Sequence, residues 1–193
     1  MQKLLAVFLA ALFLTGCGVA GRTAGSHKLN VKVGGKDSTL ALKPGAVYYG
    51  NVISTAPGKP NIQTFAHTIY LANYEMDTSY PGWVRKPLAS PEHMRIDIQL
   101  TGEDGTRDDS PFKVGTYSAK ADKFNTVRAI VINASTDGKE TKTYFETLSS
   151  RKPVDGEVKI TAVTADTVSG EVNLTEDNKS IKGTFTANLP KKK

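Results

Sequence analysis

The sequence predicts a single all-β domain, an antiparallel β-sandwich or a partly closed β-barrel, and three observations predict it. Apolar residues recur at every second position through most of the chain, as they do along half-buried strands. No stretch beyond residue 27 carries the i, i+3, i+4 stripe of an amphipathic helix. Gly, Asn and Asp interrupt the alternating runs at short intervals, where turns are needed. Composition agrees: 193 residues suit one domain, and 39% apolar with 23% charged residues excludes a disordered polyelectrolyte or a polytopic membrane protein. One cysteine permits no internal disulfide, so burial must hold the fold together. A chain of this size buries roughly 70% of its unfolded surface, which is enough.

The β domain is expected over residues 28–190 with about eight to eleven strands. Leu29, Val31 and Val33, then Gly34-Gly35, then Leu40 and Leu42 spell two strands around a glycine turn. Val47 to Thr55 is aromatic and β-branched, and Phe65, His67, Ile69 and Leu71 alternate with their neighbours. Met94, Ile96, Ile98 and Leu100 form the cleanest alternation, which turns Arg95, Asp97 and Gln99 outward. Further strands are expected at Phe112–Tyr117, Val127–Asn133, Thr141–Leu148 and from Val158. Two closing strands, from Val168 and from Ile181, flank a polar turn at 175–180. Each carries a glycine two residues after an aliphatic one, Gly170 and Gly183. Such glycines mark bulges, or places where an aromatic ring packs on bare backbone.

One segment departs from strand and turn. Tyr70 to Met94 contains Tyr74, Tyr80 and the only tryptophan, Trp83, with Pro81, Pro87 and Pro91 breaking any ladder. Connections this long are uncommon in compact domains and are often binding loops. Its candidate recognition residues are Tyr74, Tyr80, Trp83, Arg85 and His93, because amphipathic rings give large contact area at small rotamer cost. Arg85, Lys86 and Arg95 would bias it toward an anionic partner. The competing reading has the rings tucked back to cover the sheet.

The first seventeen residues read as an address. Lys3 precedes an uninterrupted apolar run from Leu4 to Leu14, eleven residues, too short to span a bilayer and right for a secretory signal. Leu14-Thr15-Gly16-Cys17 follows and resembles the lipobox of bacterial lipoproteins. The resemblance implies cleavage between Gly16 and Cys17, a thioether to diacylglycerol on the Cys17 thiol and acylation of its new amine. Residues 1–16 are then a signal peptide, 17–27 a small, polar tether, and 191–193 a basic tail. Gly18, standing where a retention signal would place Asp, implies passage to the outer membrane. The expected partners are membrane lipid through Cys17 and an envelope protein, a cell-wall polymer or an anionic lipid. For an exported body the net charge of +6 is no nucleic-acid footprint.

Catalytic and metal chemistry find little purchase. His27 lies in the tether, His67 on a strand where it reads as a satisfied, partly buried ring, and His93 in a loop. No H-x-H, H-E-x-x-H, C-x-x-C or G-x-S-x-G spacing occurs, so no catalytic residue, metal ligand or cofactor is assigned. The acidic run at 102–109 reads as a solvated hairpin loop, since Glu103 and Asp104 are adjacent and no Glu closes a calcium loop. The leading functional expectation is a non-enzymatic binding or structural module. The alternative is a calycin-like barrel holding a small apolar ligand.

Overall fold

The computed structural model describes residues 27–54, 62–79, 86–120, 124–136, 139–145, 147 and 153–191. Cys17, Gly16, Tyr80, Trp83 and Arg85 lie outside them. Eleven strands follow in chain order: β1 (Lys28–Val33), β2 (Lys36–Ala41), β3 (Gly45–Ser54), β4 (Ile62–Ala72), β5 (Met94–Thr101), β6 (Gly115–Ser118), β7 (Thr126–Thr136), β8 (Lys139–Phe145), β9 (Asp155–Val163), β10 (Thr167–Glu176) and β11 (Lys179–Asn188). The described residues contain no helix.

Hydrogen bonding closes eight of these strands into a barrel, β3–β4–β5–β7–β6–β9–β10–β11 and back to β3. The β1–β2 hairpin pairs with β11, and β8 pairs with β7, outside the circuit. Within it, two antiparallel arrays meet at two parallel seams. At one, β11 meets β3 through Ala187↔Gly45 and Asn188↔Ala46; at the other, β6 meets β7 through Ser118↔Thr126 alone. The seams are short because β1 takes the earlier part of the β11 edge and β8 the later part of the β7 edge. The expected antiparallel sheet is therefore corrected at these two joints.

Alternation places the core as expected. Ile69, Leu71, Ile96, Ile98, Ile130 and Phe185 are all fully enclosed, within one cluster fed by both arrays. Gly34 and Gly35, both at positive φ, turn β1 into β2, with Val33 paired to Lys36. Gly170 pairs directly with Phe185, beside a bulge in the β9–β10 ladder. A Cβ there would collide with the Lys159 carbonyl and lie 2.7 Å from Phe185 Cζ, so the ring does pack on bare backbone.

Two expected elements need correction. Phe112 precedes β6 rather than lying on it, and its ring enters the core. The 102–109 run belongs to a connection from β5 to β6, strands that do not pair with each other; it crosses the barrel end and is no hairpin.

Candidate functional site

The Tyr70–Met94 segment leaves the end of β4 and returns to the start of β5, and one side chain clamps its two ends. Asn73 donates from Nδ2 to the Glu92 carbonyl at 2.8 Å and accepts from the Met94 amide at 2.8 Å. Its own amide donates to the Met94 carbonyl at 3.3 Å. This clamp brings Tyr74 and His93 face to face, with ring centroids 4.3 Å apart and planes 15° from parallel. The sequence pointed to both residues but not to their meeting, because nineteen positions separate them.

Beneath the stack lies Arg95, on the outer face of the sheet as alternation requires, yet only 5% exposed. Its Nε donates to Asp97 Oδ1 at 2.8 Å, and its guanidinium sits 5.8 Å from the centre of the Tyr70 ring. Asn133 Nδ2 donates to the other Asp97 oxygen at 3.0 Å. Burial opposes the guanidinium charge, but the bonds to Asp97 and Tyr74 outweigh it and hold the pKa above the ordinary value. Burial first, and the Asp97 charge second, push the Tyr70 hydroxyl up to about 12. Arg95 is thus not part of a solvated basic face. Asn133 is itself buried, at 1% exposed.

The rim is paired as well. Lys86 Nζ lies 3.2 Å from Asp77 Oδ2, and Asp77 also accepts from the Ser79 amide and hydroxyl. Those bonds, the Ser79 hydroxyl foremost, bring the Asp77 carboxyl down to about 2. Two of the three cations expected to attract an anion, Lys86 and Arg95, are therefore matched by carboxylates. Between rim and stack is a cleft of about 350 Å³, lined by Tyr74, Met76, Lys86, Pro87 and His93 above Arg95.

The three histidines go to three different places. His27 lies over the outer face of β11, bonded to the Thr184 and Thr186 hydroxyls at 3.2 and 2.9 Å. His67 points into the core and is only 3% exposed. The Tyr49 ring meets it edge-on at 4.4 Å and the Phe112 ring at 4.8 Å. Neither of its ring nitrogens has a hydrogen-bond partner. It is therefore buried and unsatisfied, against the reading of a satisfied, partly buried ring. Desolvation brings its pKa down to about 4, and the backbone of Ser110 offsets part of that fall. The sequence carried no signal for this corner, because Phe112 and Ser110 are more than forty positions from His67.

An opening of about 860 Å³ is a trough outside the barrel, where β3 and the end of β11 part beside Glu75 and Met76. The barrel interior itself is occupied by core side chains. Among the described residues the fold is a β-barrel with core side chains in its centre, and the clefts named above lie outside that centre. Compared with protein-family models, curated proteins and solved structures, the chain has no match.

Proposed function

We propose that this chain is a lipid-anchored protein of the bacterial cell envelope whose barrel is a rigid, non-enzymatic scaffold for recognition at its surface. The observation that carries the reading is the filled interior. Phe185, Ile69, Ile98 and Leu174, all on strands of the closed circuit, are each under 2% exposed, in the space where a calycin-like barrel would keep its apolar ligand. The Leu14–Cys17 tetrapeptide supports the anchor, and the polar chain from Gly18 to His27 supports a tether.

The recognition surface is the Tyr70–Met94 segment. Its stacked Tyr74 and His93 rings, clamped by Asn73, are ordered before any partner arrives, which lowers the entropy cost of binding. With Lys86 and Arg95 already paired, the segment suits a partner read by stacking and hydrogen bonds. A cell-wall polymer or an envelope protein fits that description better than an anionic lipid does. Intact mass of the membrane-extracted protein tests the anchor: the chain should begin at Cys17 and carry acyl mass, and Cys17→Ala should release it from the membrane fraction. Unchanged mass and fractionation in Cys17→Ala would overturn the assignment.

A further inference from the structure

We infer that the barrel end above His67 is a second binding site, separate from the Tyr70–Met94 segment, and that it takes a small organic cation of the primary-ammonium type. The connection between β5 and β6 arches over this end and leaves a cleft of about 170 Å³, with His67 and Tyr117 at its base and Glu103, Asp104 and Lys113 around it. That is room for about five or six waters, or one ligand of similar bulk.

The arch is braced by its own bonds. Thr106 donates to the Glu103 carbonyl through both amide and hydroxyl, at 3.1 and 2.7 Å. The Asn125 amide donates to the Gly102 carbonyl at 3.1 Å, and Lys113 pairs with Glu103. Against this satisfied frame stands the His67 ring. It is neutral at pH 7, so it carries one N–H and one bare nitrogen, and neither has a hydrogen-bond partner. A buried polar group without a partner costs stability, and it persists where a ligand completes it.

The chemistry around the ring selects the ligand. Of the two ring nitrogens, the bare one can be completed only by a donor. Two carboxylates, Glu103 and Asp104, face one ammonium, Lys113, so the lining is net negative. An anion would find its only cation already paired. A metal ion would find too few ligands, since no group of three His, Cys, Asp or Glu residues is placed to hold one among the described residues. An alkylammonium supplies what is missing: N–H donors for the bare nitrogen and a positive charge for Asp104.

The test is a titration of the purified full chain at pH 7 with methylammonium, acetamide and acetate, followed through the His67 ring resonances in NMR spectra. Methylammonium should shift them saturably, with acetamide and acetate at least tenfold weaker. His67→Phe, which keeps a ring among the aromatics, should abolish saturable methylammonium binding, read from the backbone amides of the arch. Should that variant not fold, Asp104→Asn and Glu103→Gln should each weaken binding severalfold while the His67 signals remain. Equal binding of acetamide or acetate, no saturation by any probe, or undiminished binding in the variants would overturn the inference.

Discussion

The block formed by β9, β10 and β11 and the corner around His67 face the same core, yet they are satisfied to opposite degrees. In the block, β10 pairs with β11 from Thr167↔Asn188 to Glu176↔Lys179 without a break, and the inward residues Val168, Val172, Leu174 and Phe185 are apolar. At the corner, β7 reaches β6 by a single residue pair and a polar ring sits inward without a partner. The difference separates two uses of buried space. One stretch of the barrel is spent on stability, and the other retains an unmet hydrogen-bonding demand of the kind found where ligands or waters bind.

Truncating the well-satisfied side should do the most damage. Phe185→Ala removes a fully enclosed ring packed on Gly170 and should cost about 3–5 kcal/mol, measured as a lowered midpoint in urea. The corner should respond to pH instead. Burial lowers the His67 pKa from its ordinary 6.5 to about 4, so the unfolded chain binds more protons between those values. Stability contributed by the neutral ring is therefore complete above pH 6.5 and is lost as the pH falls toward 4, a change of about 3 kcal/mol. Urea midpoints at pH 7 and pH 4 should show that loss, and His67→Phe should lose less over the same interval.

A smaller effect is expected on the outer face. Asp97→Ala strands the Arg95 guanidinium, whose side chain is 7% exposed, and should cost about 2 kcal/mol, with partial recovery when Arg95 is also replaced by Met. The smallest effect belongs to the recognition segment. Trp83→Ala should leave the unfolding midpoint nearly unchanged, while both it and Tyr74→Ala should reduce co-sedimentation with insoluble cell-wall polymer. A drop of the size of a core truncation, about 3 kcal/mol or more for Trp83→Ala, would instead make that ring a buried plug.

The comparison also explains what could be read from the sequence. Strands such as β5, β10 and β11 were legible because apolar or glycine residues recur at every second position without interruption in each. The glycine at 170 was legible as a bulge or ring seat because nothing else tolerates that approach. Periodicity says which way a residue points and not what lies above it. Arg95 was placed outward correctly, but its burial depends on a segment whose ends meet only through Asn73. The parallel seams were invisible because they are set by which strand reaches an edge first. His67 shared the inward pattern of Phe65 and Ile69, and pattern alone cannot count hydrogen-bond partners.

The claim on which the functional reading rests is that the barrel is filled, and uptake of an apolar fluorophore tests it most directly. Titrating cis-parinaric acid into the purified full chain should produce no saturable rise in fluorescence, because Phe185, Ile69 and Ile98 occupy the interior. Saturable uptake of one molecule per chain, displaced by a fatty acid, would contradict the account and establish a hollow, ligand-carrying barrel.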